Sequence, residues 1–375
     1  MKRKSILILG TGNAQTDFIK YCKLEGFETH ACSYKAEGRG IQEADFFKVI
    51  NITDIDSISD YASKNNIGLI YSTGSDLAMP TVTKASKSLG LPCFIQPETA
   101  VICNNKTLLR DALKALPNFS VESLNIKTES DLNQWEKFPA IVKPADSQGQ
   151  RGIRVVKYEK ELLPAFANAK SYSLTNTAII EEYIEGFEIS INLYILNGEI
   201  ELLFVTERIS FNEYPGGIIK SHIYPCTKKI DKDKLLEMSK EVINILNIQN
   251  GPAYFQVKID ELGQPKIIEV TPRLDGCHLW RLIKEMKGIN LFKLLLNHLS
   301  NGDLSKEDFL QKELDKDVRA ELSFFTSPPN TIFNTNHHQP ANNPTYTEWY
   351  YKTGEVVRPI NQFAEKTGYQ IVFQK

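Results

Sequence analysis

The chain opens on an unbroken apolar run, Ile6-Leu7-Ile8-Leu9, of the kind that forms a strand buried on both faces. Gly10-Thr11-Gly12 turns this run into a helix extending to Leu24, and Glu28 to Cys32 reads as the next strand. Helical signal returns from Asp54 to Lys64, followed by a strand at Gly68 to Ser72 and a helix near Leu77 to Leu89. Strands alternating with helices predict parallel βαβ units, so the fold class is α/β, beginning with a doubly wound parallel sheet domain.

Asn104 to Leu116 reads as a helix carrying Lys106. A smaller α/β segment follows: a strand at Ala140 to Lys143, a Gly/Gln/Ser loop, a strand at Ile153 to Val156, a helix around Glu159 to Ala169, and a strand at Ala178 to Glu182. Ile189 to Leu196 and Glu199 to Glu207 are strands joined at Asn197-Gly198, a strong hairpin turn. Leu235, Met238, Val242, Ile245 and Leu246 share one helical face. Tyr254 to Lys258 and Glu269 to Thr271 form a second hairpin about the turn Glu261-Leu262-Gly263-Gln264. The Asn- and Pro-rich stretch from Ser327 to Pro344 predicts a long exposed loop. At about 150 residues per domain, a chain of 375 residues suggests two or three units.

Hydrophobic residues make up 42% and charged residues 24%, an ordinary globular balance. The net charge of −2 argues against a basic nucleic-acid-binding face. No run approaches the roughly 20 apolar residues of a membrane span, and the N-terminal apolar run is too short for a signal peptide. Cys22, Cys32, Cys93, Cys103, Cys226 and Cys277 are scattered and read as reduced thiols of a cytoplasmic protein. The six histidines show no HExxH or HxxxH spacing, so no zinc site is expected.

Candidate chemistry concentrates in the second hairpin. Gln256, Glu269 and Thr271 place oxygen ligands on its strands, as hard cations such as Mg2+ require, and Arg273 beside them suits a transferring phosphoryl group. Taken alone, an ordinary hairpin with Glu269 and Arg273 facing water is an equally open reading. Lys143 ends an apolar strand before Pro144, either as an anion-binding ammonium or as a surface lysine. The loop Ser147-Gln148-Gly149-Gln150-Arg151-Gly152 offers backbone N–H groups and an arginine to phosphates. Glu181 to Glu188 is an acidic connector able to serve an adenine and a ribose, or to be a solvated turn. Gly10-Thr11-Gly12-Asn13-Ala14-Gln15 is a partial dinucleotide fingerprint. Gln15 stands at the third glycine and Cys32-Ser33-Tyr34 where an acidic residue is needed, which weighs against an NAD-dependent oxidoreductase.

A lysine helix, a lysine strand, a glycine loop, an acidic connector and a Gln…Glu-x-Thr-Pro-Arg hairpin, in this order, resemble the ATP-grasp superfamily. The similarity is greatest to the branch containing carbamoyl phosphate synthetase and biotin carboxylase. It spans nearly the whole chain and implies a pre-ATP-grasp domain at 1–104, a linking helix and lid subdomain at 105–182, and a mixed α/β core at 183–375. Tyr351 to Val357 and Thr367 to Tyr369 would be its closing strands.

The resemblance assigns Lys106 and Lys143 to ATP phosphates, and Ser147, Gly149, Arg151 and Gly152 to a phosphate lid. Glu181 and the backbone of Glu182 and Ile184 would hold adenine, with Glu188 on the ribose. Gln256, Glu269 and Thr271 would hold Mg2+ or Mn2+; Thr271 stands where asparagine is usual, so a hydroxyl or a water bridge would substitute. Arg273 and Lys143 would be the catalytic pair. The implied activity is ADP-forming ligation of a small-molecule carboxylate to an amine or thiol through an acyl phosphate, by a protein that could form a homodimer. A nucleotide-binding protein without catalysis is the alternative that Thr271 raises. Glu207, Arg208, the loop Glu213-Tyr214-Pro215-Gly216-Gly217, and Asp275 to His278 are candidates for the substrate pocket.

Overall fold

The computed structural model describes residues 4–147, 151–211, 218–301, 304–311, 318–360 and 364–374. Strands β1 (Ser5–Leu9), β2 (Glu28–Ser33), β3 (Phe46–Val49) and β4 (Leu69–Tyr71) form a parallel sheet in the order β3-β2-β1-β4. Around it lie α1 (Asn13–Leu24), α2 (Gly40–Glu43), α3 (Ile55–Lys64) and α4 (Met79–Leu89). Ile6 and Ile8 share a core with Phe18 and Cys22 of α1. Leu7 and Leu9 share one with Ile58 of α3 and Val82 of α4. Alternate β1 side chains thus bury against opposite helical layers, which makes the sheet doubly wound. The sequence reading missed β3, whose Phe46 and Val49 stay about half exposed at the sheet edge.

Helix α5 (Pro97–Asn104) precedes α6 (Lys106–Leu113). The helix expected from Asn104 begins instead at Lys106, because the Asn105 side chain caps it by accepting from the Leu108 N–H at 3.1 Å.

A second sheet contains β5 (Ser123–Ile126), β6 (Ala140–Pro144), β7 (Arg154–Val156) and β8 (Ala178–Glu182), all antiparallel, in the order β5-β8-β6-β7. Helix α7 (Leu162–Ser171) packs on it through Leu162, Ala165 and Phe166.

The third sheet has eight strands: β9 (Phe187–Leu196), β10 (Glu199–Ser210), β11 (Ile219–Tyr224), β12 (Gly251–Ile259), β13 (Pro265–Thr271), β14 (Arg319–Ser327), β15 (Tyr346–Trp349) and β16 (Glu365–Gln374). Their order is β13-β12-β9-β10-β11-β14-β16-β15. Helices α8 (Lys232–Ile245), α9 (Leu279–Lys287) and α10 (Leu291–Asn301) complete the unit. Asn197 and Gly198 both have positive φ, 52° and 81°, as the tight turn between β9 and β10 demands. Strand period fixes the two faces of this sheet. Ile189, Ile191 and Leu193 join α8 and the N-terminal sheet in one core. The opposite face is apolar at Tyr194, Leu202 and Phe204. Along the same strands it turns polar at Asn192, Ser190, Thr206 and Arg208.

Tyr351 to Val357 does not form the expected closing strand; only Val356 bridges, to Ile332. The pairing strand lies earlier, at Tyr346–Trp349. The connection after Ser327 holds one short turn, Thr335–His337, and is pinned by rings, with Phe325 stacked on Trp349 at 4.4 Å.

Candidate active site

Register places Gln256 of β12 opposite Glu269 of β13, and Tyr254 opposite Thr271. Gln256 also faces Ser190 of β9, so these residues lie on the polar face. The Gln256 amide donates from Nε2 to Glu188 at 3.0 Å, which leaves its oxygen for another partner. Burial and the neighbouring Asp76 raise the pKa of Glu269, against the pull of Lys106 and Arg273. Two oxygen donors face each other here, one of them a carboxylate, and that fits a hard cation that also binds phosphate oxygens. The Thr271 hydroxyl turns instead toward the Tyr254 carbonyl at 3.4 Å. Among the described residues no group of three or more His, Cys, Asp or Glu could hold a metal by itself.

Arg273 is buried, and its Nη2 lies 2.6 and 2.7 Å from the two carboxylate oxygens of Asp76. Burial alone would lower its pKa; Asp76 outweighs that and raises it. Asp76 follows β4, at the carboxyl end of the parallel sheet where open α/β folds place ligands, and that position is the signal that could have identified it. The same loop is stitched to the hairpin by Gly74 N–H donating to the Leu274 carbonyl at 3.0 Å. Gly74 has φ +65°, and a Cβ there would sit 2.7 Å from the Gly276 Cα, so only glycine fits.

Glu181 is 1% exposed and divides its carboxylate between Arg110 Nε at 2.8 Å and Lys143 Nζ at 2.6 Å. Burial would raise its pKa, but Arg110 and Lys143 together bring it down to about 2. Lys143 and Glu181 were expected at opposite ends of a nucleotide. They are ion-paired instead, because β6 and β8 are neighbours and the two residues stand diagonally on the same face, two rungs apart. Arg110, absent from the sequence reading, also donates to the carbonyls of Ile267 and Ile268 at 2.9 Å each, directly before Glu269. It ties α6, the lid strand β8 and the hairpin strand β13 together.

Lys106 donates from its backbone to Ala145 at 2.9 Å and from Nζ to the Ser147 carbonyl at 2.6 Å. Burial lowers its pKa. Arg151 is exposed, and Gly152 holds φ +74° against Tyr172 and Pro144. Gly149 lies outside the described residues. Glu182 accepts from the Glu122 N–H at 2.9 Å, and the Ile184 carbonyl accepts from Lys258 at 2.7 Å. Glu188, expected on a ribose, is paired with Arg208 and Gln256.

Of the pocket candidates, Arg208 of β10 stands on the polar face opposite His222 of β11, a residue the sequence reading did not name. Glu207, one residue earlier, faces the other way and accepts from the Thr227 backbone at 3.2 Å, which removes it from the pocket. The loop from Glu213 to Gly217 lies outside the described residues. His278 bridges Asp17 of α1 at 2.8 Å and the Tyr350 hydroxyl at 2.6 Å, and stacks on Tyr369 at 4.2 Å. In the glycine turn after β1, the Gln15 side chain crosses to the Thr73 carbonyl and lies 2.9 Å from where a Gly12 Cβ would be. It fills the space a pyrophosphate would need, to the detriment of the NAD reading.

Residues 136–279 match the ATP-grasp domain family. The chain is 25% identical over 341 residues to a formate-dependent phosphoribosylglycinamide formyltransferase of Prochlorococcus marinus (strain MIT 9515), covering 85% of this chain and 82% of that one. In fold it is similar to phosphoribosylglycinamide synthetase from Anaerococcus prevotii, with a TM-score of 0.75 at 19% identity over 100% of this chain and 94% of that chain. It is also similar to biotin carboxylase from Campylobacter jejuni, with a TM-score of 0.78 at 16% identity over 100% and 88%. The match runs from β6 through β13 and takes in the Glu269–Arg273 hairpin, so an ATP-grasp domain occupies this part of the chain.

Proposed function

We propose that this protein is an ATP- and Mg2+-dependent ligase that joins a small-molecule carboxylate to an amine and releases ADP and phosphate. The observation that carries the reading is the convergence of Glu269, Gln256, Lys106 and the Asp76-clamped Arg273 at the polar end of one sheet face. The relatives' names, a formate-dependent phosphoribosylglycinamide formyltransferase, a phosphoribosylglycinamide synthetase and a biotin carboxylase, support ATP-driven chemistry on small molecules.

A carboxylate is a poor electrophile. Its oxygen attacks the γ-phosphorus, the bond to the β,γ-bridging oxygen breaks, and ADP leaves. The amine then attacks the acyl carbon and expels phosphate. Gln256 and Glu269 would hold Mg2+, which would neutralise charge on the phosphates. Arg273, oriented by Asp76, presents its remaining donors to the transferred group, and its buried Nε has no hydrogen-bond partner among the described residues. Lys106 and Lys143 supply the other positive charges, and closure of the lid excludes the water that would hydrolyse an acyl phosphate.

Glu269→Gln keeps the shape and removes the charge. Turnover, read as ADP release, should fall by about 10²-fold or more while the fold, read by circular dichroism, is unchanged. Near-normal ADP release from this variant would exclude the hairpin as the metal site.

A further inference from the structure

The polar end of the eight-stranded sheet holds side chains that phosphoryl transfer does not use. We propose that they form a binding site for a small zwitterion, an α-amino acid, with Lys366 taking its carboxylate and Asp275 its ammonium. The proposal rests on the ligase reading above and names the substrate class of that site.

Asp275 follows Arg273 by two residues and is buried. One of its carboxylate oxygens accepts from the Cys277 N–H, and the other, Oδ2, has no hydrogen-bond partner among the described residues. Lys366 enters from β16, with Nζ 3.5 Å over the Phe324 ring and 3.8 Å from Cys277 Sγ. Among the described residues no carboxylate comes within 4.0 Å of that ammonium. Each of the two groups feels the charge of the other, yet they are not paired. Opposite charges held apart in a largely buried place are costly unless a third body joins them, and a molecule carrying both charges does so. Arg208 Nε and His222 Nε2, buried on the neighbouring strands β10 and β11, also lack partners among the described residues and point to polar contacts with the same occupant.

Charge balance separates this ligand from a phosphorylated one. A phosphate dianion calls for several cationic donors. Here Arg208 is paired with Glu188, and Arg273, held by Asp76, already serves the transferred phosphoryl group. Of the charged side chains named here, the two without an ion-pair partner are one lysine and one aspartate, a pair with no net charge, which matches a zwitterion.

The test begins with calorimetric titration of the full chain with MgATP. ADP release is then measured with the proteinogenic amino acids singly and in pairs, with their des-amino carboxylates plus ammonium, and with ribose 5-phosphate. At least one amino acid should raise ADP release tenfold or more, and its des-amino analogue should not. Lys366→Met and Asp275→Asn should each raise KM for that amino acid at least tenfold with MgATP affinity unchanged, which also reports that the variants fold; Lys366→Arg should recover part of the loss. If MgATP binds but no amino acid stimulates, the zwitterion site is overturned and the ligase reading stands. Stimulation that Lys366→Met and Asp275→Asn leave untouched overturns the assignment of these residues. Absence of MgATP binding to the wild-type chain would instead overturn the ligase reading itself.

Discussion

Ile126, Val142, Phe166 and Ile180 of the lid pack in a core confined to lid residues, whereas Leu7 and Leu9 of the N-terminal sheet share theirs with Ile191 and Leu193 of the eight-stranded sheet. The second arrangement makes a single body of two sheets, since neither can lose its partner without exposing its own interior. The first leaves the lid able to keep its burial wherever it sits. Its junction to the body is instead polar: Arg110 to Glu181, Lys106 to Ala145 and Ser147, and the Ile267 N–H to the Phe119 carbonyl at 2.8 Å. Polar contacts can be exchanged for contacts with a nucleotide or with water at small net cost, which an apolar seam cannot do. The difference suits a site that must open, close and release product.

The largest effect expected to test this contrast comes from Phe166→Ala. Removing a buried ring costs about 3–5 kcal/mol, and here the loss should be confined to the lid. Native-state hydrogen exchange should show β6 and β8 losing protection while β1 and β9 keep theirs. Equal loss in all three sheets would mean that the lid is not a separable unit.

A smaller effect should come from acid. The Glu181 carboxyl has an ordinary pKa of 4.5 and a folded value of about 2, so its charged form is favoured by folding. Its contribution is complete above about pH 4.5 and disappears as pH falls through 2, and it amounts to about 3 kcal/mol. Urea unfolding between pH 6 and about pH 2 should show this decline, and Glu181→Gln should flatten it. Arg110→Met removes the first of the two cations that hold the pKa down, so the decline should begin at higher pH. If Glu181→Gln leaves the pH dependence intact, the pair does not govern the acid stability of the junction.

The parts of this architecture that were legible in the sequence are those set by local period. The run Ile6 to Leu9, the Asn197-Gly198 turn and the hairpin about Gly263 each announce themselves within ten residues. Period two also decides that Arg208 and not Glu207 faces the site, although the sequence reading kept both. What escaped is held by distant partners. Asp76 and Arg273 are 197 positions apart, and Asp17 and His278 are 261 apart. Nothing near Asp17 in the chain marks it, and Asp76 is marked only by its place after β4, which does not name its partner. Arg110 escaped for a related reason: on a helix it reads as an ordinary exposed arginine, and only the arrival of β8 and β13 on either side buries it. Edge strand β3 was missed because it is only four residues long, although three of the four are apolar.

The smallest of these effects is also the most selective. Lys143 lies at the seam between the two regions, with its ammonium on Glu181. If ATP binds at the lid–body junction, that ammonium has to divide its donors between Glu181 and the ligand, and Arg110 keeps Glu181 satisfied meanwhile. Lys143→Ala therefore removes a ligand contact without leaving a buried carboxylate alone. ATP affinity should fall by more than tenfold, or about 1.4 kcal/mol, the scale of one charge-assisted contact. Thermal stability should fall far less than in Phe166→Ala, because the lid core is untouched. Calorimetry with MgATP and a melting curve on the same sample separate the two quantities. Unchanged affinity with a large drop in melting temperature would place Lys143 in the lid's structure and outside the nucleotide site, leaving Lys106 and Arg273 to carry the phosphates.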